Sequence, residues 1–138
     1  MFFLWKLGYR VDGITKDHAL SLEIAANAEK VGAHVKLIVA DPRRIRLTKE
    51  YHDLILCCYL VHPGLVLQMK MGLKHHGLVL MESYTQQQPK VSGASKDLFL
   101  EPKQLLFFFK EFEILDYEET VHSGPYPIAS ILARKISD

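Results

Sequence analysis

Apolar positions along the chain switch repeatedly between helical spacing and short continuous runs, and glycine, proline or aspartate marks most of the changes. Helical spacing beside a capping residue indicates a helix, whereas a short run of branched apolar residues indicates a strand. The predicted elements are, in chain order, a helix end over 1–7, a strand over 9–15, a helix over 17–32, strands over 35–40 and 54–60, a helix from His62-Pro63 to near Gly77, a strand over 78–81, a helix from Glu101-Pro102 to 109–112, and strands over 113–121 and 128–136.

The alternation of strands and helices predicts an α/β fold with a mostly parallel sheet. The run 54–60 is apolar on both faces, which is typical of a central parallel strand covered by helices on each side. The short connection 122–127 favours an antiparallel hairpin of the last two strands at one edge of the sheet. The polar stretch 85–96 is predicted to be a long loop. Neither an internal repeat nor a linker interrupts 1–138, which predicts a single domain.

Composition narrows the class of protein. The chain has 138 residues, of which 49% are hydrophobic and 24% charged, with a net charge of +1, as in a soluble globular domain. This near-neutral balance gives no electrostatic reason to expect a nucleic-acid or anionic-membrane partner. Cys57 and Cys58 are adjacent and point to opposite faces of a strand, so they indicate a reducing compartment without disulfides. No apolar run approaches the ~20 residues of a membrane span. We expect a cytoplasmic location.

The order of these elements, together with several short passages, resembles the class I S-adenosylmethionine-dependent methyltransferases from the end of their first helix onward. The passages that carry the resemblance are Phe2 to Ile14 with Leu7-Gly8-Tyr9, Leu37 to Asp41, Tyr51 to Ile55, Gly72 to Leu78, and Glu113 to Glu119 with Ala133 to Lys135. The last passage looks like the terminal hairpin of the tellurite-resistance-type, small-molecule branch. The resemblance implies a Rossmann-like sheet, S-adenosylmethionine as cofactor and methyl transfer to a small-molecule acceptor.

Two parts of the family pattern, the first strand and the Gly-rich loop after it, would precede Met1 and are lacking. Such glycines let backbone amides approach the methionine end of the cofactor. The first strand of the family lies between the second and fourth strands, so its loss leaves two strands with unpaired edges. Three outcomes stay open: the second strand pairs with the fourth, self-association or a complementing N-terminal segment supplies a strand, or the chain folds marginally. The chain is accordingly either an enzyme or a catalytically silent remnant, a pseudoenzyme or partner-binding fragment.

The resemblance places five residues against the cofactor: Thr15, Asp17, Asp41, Cys58 and Tyr59. Thr15 stands where the family has an acidic residue for the ribose hydroxyls, and a neutral hydroxyl bonds them more weakly. Asp17 either substitutes for that acid or caps a helix. Asp41 either meets the adenine or forms the turn before Pro42. Tyr59 packs either on a ligand or in the core.

Three further residues, Glu82, His62 and Tyr84, are candidates for a catalytic role because they follow strands at the carboxyl edge of the sheet. His62 is either a base or the N-cap of the next helix. Glu82 leaves an apolar strand, and it serves either the acceptor or the loop that follows. The pair His75-His76 lacks spaced partners of the types that bind zinc, so no metal site is predicted.

Overall fold

The structure is a computed structural model that describes residues 1–85, 98–120 and 127–136. Contacts group the chain into two compact units, Met1–Ile45 and Arg46–Asp138. We describe each unit by itself, and the single domain expected from the sequence stays a prediction. Most of the predicted polar loop and the connection of the predicted hairpin lie outside the described residues.

The first unit contains a two-stranded parallel sheet and two helices. Its elements are α1 (Phe2–Lys6), β1 (Val11–Thr15), α2 (His18–Val31), β2 (Val35–Val39) and a 3₁₀ turn (Pro42–Arg44). The register runs from Val11 opposite Val35 to Thr15 opposite Val39, so both strands end at the same edge. The strands and helices predicted for this part of the chain are therefore present.

Local capping explains where α2 begins and ends. The carboxylate of Asp17 accepts a hydrogen bond from the Leu20 backbone N–H at 3.0 Å, which satisfies one of the free amides of the first turn. Gly32 ends the helix in the left-handed conformation, with φ of 67°, and the N–H of Ala33 donates to the carbonyl of Ala28 at 2.8 Å. This is the arrangement that glycine favours at a helix end. The predicted helix cap at Asp17 is confirmed.

The second unit is built on a mixed five-stranded sheet. Its elements are β3 (His52–Cys58), α3 (Pro63–Gly72), β4 (Leu73–Thr85), β5 (Phe99–Leu100), α4 (Gln104–Phe108), β6 (Glu113–Thr120) and β7 (Ile128–Arg134). The strand order is β3-β4-β7-β6, with the short β5 also paired to β4. β3 and β5 run parallel to β4, whereas β7 runs antiparallel to both β4 and β6. The predicted α/β fold with a terminal antiparallel hairpin is confirmed.

Apolar side chains from the sheet and from two helices form the core of this unit. The central strands β4 and β7 alternate buried and partly exposed positions, as expected for strands whose faces differ in cover. The largest fully buried side chains are Phe109, Met69, Leu73, Met81, Leu100, Leu105, Ile131 and Val79. The helices α3 and α4 thus supply the layer that covers the sheet.

β3 has the composition of a central strand, yet it is an edge strand. Among the described residues it pairs with β4 alone. Within the described residues no strand lies on its second side, so the central position predicted for this run is wrong, and the unpaired edge predicted from the missing first strand is what the sheet shows. Leu56 on this strand is 48% exposed.

Two helix boundaries differ from prediction. The segment Leu73–Gly77, expected to continue α3, belongs to β4, because Leu73 pairs with His52 of β3 and the Gly77 carbonyl accepts from the Lys135 N–H at 2.9 Å. A Cβ on Gly77 would lie 2.8 Å from the Lys74 carbonyl oxygen, so only glycine fits this backbone approach. Pro102 lies in a turn before α4 rather than in its first helical turn.

Candidate functional site

The carboxyl edge of the first unit holds three of the predicted cofactor residues, and their polar atoms serve the local backbone. Thr15 ends β1, and its Oγ1 accepts a hydrogen bond from the Asp17 N–H at 3.1 Å. Asp17 caps α2 through the bond to Leu20 described above. Both side chains therefore shape the turn from β1 into α2.

Asp41 is held by its neighbour Arg43. Its carboxylate accepts from the Arg43 backbone N–H at 3.0 Å and from the guanidinium, with the shortest contact at 2.8 Å. These hydrogen bonds from Arg43 hold the pKa of Asp41 well below its usual range. The turn-forming interpretation of Asp41 is thus confirmed, and the contact with adenine stays a prediction.

In the second unit, the carboxyl ends of β3 and β4 bring together residues that are 23 or more positions apart in sequence. Cys58, the last residue of β3, lies opposite Glu82 in the parallel register. Tyr59 follows immediately, and its backbone N–H donates to the Glu82 carbonyl at 2.7 Å. The Tyr59 hydroxyl donates to Glu82 Oε1 at 2.9 Å. Tyr59 and Glu82 are thus joined through both backbone and side chain.

Tyr59 adopts a backbone conformation that tyrosine rarely takes. Its φ is 58°, in the left-handed region, where a bulky residue costs about 1–3 kcal/mol. Its two hydrogen bonds to Glu82 offset part of this cost. The pKa of the Tyr59 hydroxyl is raised, mainly because this hydroxyl donates a hydrogen bond to the Glu82 carboxylate and secondly because that carboxylate is negatively charged. The hydroxyl is therefore fixed in its neutral, donating form.

Tyr84 contributes a second ring at the same edge, and Phe99 of β5 a third. The centroids of the Tyr59 and Tyr84 rings are 4.8 Å apart with an interplanar angle of 35°, and those of Tyr84 and Phe99 are 6.3 Å apart. Sequence analysis did not find Phe99, because β5 is only two residues long and carries no periodic signal. We call these three rings the aromatic platform.

The two adjacent cysteines differ in environment. Both are free thiols, with Cys57 half-buried and Cys58 exposed. Burial raises the pKa of Cys57 to about 11, and its Sγ lies 3.5 Å from the Leu60 carbonyl oxygen. The pKa of Cys58 is also raised, mainly because the thiol is partly removed from water and secondly because of the negative charge of Glu82. Neither thiol is a reactive thiolate at neutral pH.

His62 occupies the N-cap position of α3 but makes no side-chain capping bond. Its Nδ1 is buried without a hydrogen-bond partner in the described part of the chain. The ring lies over Gly64, where an added Cβ would be 3.1 Å from His62 Cε1. The position expected for a cap is confirmed, and a role as base stays a prediction.

Within 1–85, 98–120 and 127–136 no group of three or more histidine, cysteine, aspartate or glutamate side chains could hold a metal ion. The longest helix in these ranges, α2, has 14 residues, and none there is long and apolar enough to cross a membrane.

The chain has the same fold as several solved structures, some of which are S-adenosylmethionine-dependent methyltransferases. One such methyltransferase, from Methanosarcina mazei, matches 99% of this chain and 87% of its own length, with 14% identity and a TM-score of 0.71. More particularly, the chain is similar to TehB from Haemophilus influenzae, with 20% identity and a TM-score of 0.82 over 97% of this chain. The chain spans 52% of TehB, about half its length.

At such identities the likeness shows the fold alone. The [4+2]-cyclase SpnF also matches, over 94% of this chain and 67% of its own, with 15% identity and a TM-score of 0.72. The same fold thus occurs in a protein named for another reaction. No protein-family model matches the sequence, and no curated protein is significantly similar to it.

Proposed function

We propose that the chain takes part in S-adenosylmethionine-dependent methyl transfer to a small-molecule acceptor. The observation that carries this proposal is the likeness of nearly the whole chain to a fold that includes S-adenosylmethionine-dependent methyltransferases. The grouping of Cys58, Tyr59 and Glu82 at a carboxyl edge supports it, because open α/β sheets bind ligands at this edge. A cytoplasmic location and the lack of nucleic-acid and membrane partners remain expectations from composition.

The side chains of the first unit differ in how well they suit the cofactor. Arg43 engages both carboxylate oxygens of Asp41, which reduces what Asp41 offers a ligand. Asp17 uses Oδ1 for the Leu20 N–H, and a carboxylate accepts more than one such bond. Thr15 Oγ1 already accepts from the Asp17 N–H. We therefore assign the ribose hydroxyls to Asp17 in preference to Thr15.

The methionine end of the cofactor requires a strand and a glycine-rich turn that the described residues do not supply. In the proposed function, that strand comes from a complementing N-terminal segment or from a second chain, and it pairs with an open strand edge. When bound, the cofactor supplies an activated methyl group. The residues of this chain then position the acceptor and shield it from water.

Calorimetric titration with S-adenosylhomocysteine tests the proposal. We expect a saturable heat of binding, weakened by Tyr59→Ala and unchanged by Phe107→Ala, because Phe107 is 67% exposed on α4 and has no part in the proposed site. Circular dichroism of each sample verifies folding. A folded chain that gives no saturable heat contradicts cofactor binding by these residues.

One observation favours the alternative, a catalytically silent remnant that acts as a pseudoenzyme or partner-binding fragment. The polar atoms of Thr15 and Asp41 are committed to local turns. A remnant of this kind has structure to offer a partner but no complete cofactor site. Light scattering over a range of concentrations, with and without S-adenosylhomocysteine, separates the two. Self-association that the ligand does not affect supports the remnant.

A further inference from the structure

The aromatic platform and Glu82 form one surface within the second unit. Tyr59 and Tyr84 stack at 4.8 Å, and Phe99 extends the row of rings at 6.3 Å from Tyr84. Tyr59 remains 40% exposed, and Tyr84 and Phe99 are half-buried. Flat apolar groups gain by stacking on rings of this kind.

The position of the Tyr59 ring is specified and not accidental. A left-handed φ of 58° turns the chain at the end of β3 so that the hydroxyl reaches Glu82 Oε1 at 2.9 Å. The Tyr59 N–H meets the Glu82 carbonyl at 2.7 Å as well. Strained backbone held by specific contacts concentrates at ligand sites, and the inference runs from the observed strain to the function.

The charge on this surface is negative. Glu82 is half-buried, and among the described residues none of the ion pairs includes it. Its carboxylate accepts one bond from Tyr59 and has further acceptor capacity. The faces of tyrosine rings also attract cations, most strongly where water is partly excluded. The carboxylate and the rings therefore favour the same kind of ligand, a positively charged one.

We propose that the aromatic platform and Glu82 bind a cationic amine that carries a flat apolar group. The ammonium donates to the Glu82 carboxylate, and the apolar group stacks on Tyr59 and Tyr84. This inference rests on the proposed function where it names the acceptor class: the methyl acceptor is then an amine, and its ammonium would pass a proton to the Glu82 carboxylate before the nitrogen could accept the methyl group. The binding site itself does not depend on the cofactor.

The test compares two probes of matched shape, 2-phenylethylamine, which is an ammonium ion at neutral pH, and the neutral 2-phenylethanol. Binding to the full chain is followed by chemical-shift changes of the tyrosine rings and of the backbone amides at 58, 59 and 82. We expect about tenfold tighter binding of the amine, as a single desolvated charge contact provides. Equal affinity for the two probes, or no binding of either, overturns the inference.

Variants assign the charge and the stacking separately. Glu82→Gln is expected to weaken the amine about tenfold and to leave the alcohol unchanged. The matched control is Glu118→Gln, an exposed carboxylate on β6, which leaves both affinities unchanged. Tyr84→Leu keeps an apolar side chain but removes the ring, and it weakens both probes. If Glu82→Gln fails to fold, the two probes on the parent chain still test the preference for a cation, and Tyr84→Leu still tests stacking on the ring.

The S-adenosylhomocysteine titration separates the two proposals. Cofactor-product binding without preference for the amine overturns this inference alone. Preference for the amine in a chain that does not bind S-adenosylhomocysteine supports the amine site and contradicts its role in methyl transfer.

Discussion

The first unit, Met1–Ile45, and the second, Arg46–Asp138, differ in how much side-chain surface they remove from water. In the first unit only Ser21 and Ala28 are buried, and its large apolar side chains include Phe3 at 71% exposure. The second unit fully buries Phe109, Met69 and several others. Because burial of apolar surface is the main favourable term in folding, the second unit carries most of the stability.

A sequence can therefore form regular helices and strands without forming a buried apolar core. The first unit has well-capped α2 and a parallel strand pair, yet a 14-residue helix is marginal in water without tertiary packing. A two-stranded sheet is likewise marginal by itself. The second unit has irregular strand and helix ends but a continuous apolar interior. We therefore expect the first unit to open at lower free energy than the second.

The largest expected effect tests this difference with matched phenylalanines. Phe109→Ala empties a fully buried position and is expected to lower the free energy of unfolding by about 3–5 kcal/mol. Phe3→Ala, at an exposed position, is expected to change it by no more than about 0.5 kcal/mol. Urea titrations followed by circular dichroism measure both. Similar losses of unfolding free energy in the two variants would contradict the claim that the second unit carries most of the stability.

The second prediction, of intermediate size, concerns how the free energy of unfolding depends on pH. A dependence caused by Cys57 shows that the measured transition includes unfolding of the second unit. The pKa of Cys57 is raised by burial to about 11, above the 9.0 of a free thiol, so the folded chain holds this proton more tightly. The stability linked to it is complete below pH about 9 and is lost as the pH rises through about 11. We expect a loss on the order of 2 kcal/mol.

The measurement is the urea midpoint at increasing pH in the parent chain and in Cys57→Ser, since other groups titrate in the same range. The difference between the two curves isolates the thiol. Cys58→Ser serves as control and is expected to remove less of the pH dependence, because Cys58 is exposed. A pH dependence that survives unchanged in Cys57→Ser excludes Cys57 as its cause.

The smallest expected effect is confined to the first unit. Asp17→Ala removes the bond to the Leu20 N–H and is expected to destabilise α2 by about 1 kcal/mol, or about fivefold faster hydrogen exchange of its amides. Exchange in β4 should not change. Glu29→Ala, an exposed change on the same helix, is the matched control. Equally accelerated exchange in β4 would show that the two units open together.

The two units also differ in how well their helix and strand boundaries can be predicted from the sequence. In the first unit, Gly8, Asp17 and Gly32 mark element boundaries through interactions a few residues away, and the predicted boundaries agree with the structure. Because these interactions involve residues that are close in the chain, they can be predicted from a single sequence. The helix over 17–32 needed only its apolar spacing and its two caps.

In the second unit, the errors and omissions fall where distant contacts decide the backbone. Among the described residues, the non-glycine positions with positive φ are Glu50, Tyr59, His76 and Lys103, all in this unit. His76 lies in the stretch wrongly predicted as helix, and Lys103 follows the misplaced Pro102. Sequence placed Tyr59, Glu82 and Tyr84 at one edge. It did not predict the hydrogen bond between Tyr59 and Glu82, since that bond depends on a left-handed residue.

Within the described part of its own unit, β3 pairs on one side only, which bears on how the protein behaves as its concentration rises. Natural sheets usually blunt an exposed edge with charge, proline or a bulge. β3 has the charged Asp53 and an irregular register at its start, whereas 54–58 consists of two leucines, an isoleucine and two cysteines. Short uncharged segments of this kind pair readily with copies of themselves. We expect the amount of protein that stays monomeric in solution to be set by these five residues. The well-packed interior beside this strand stabilises the folded chain, but it does not prevent association between chains at high concentration.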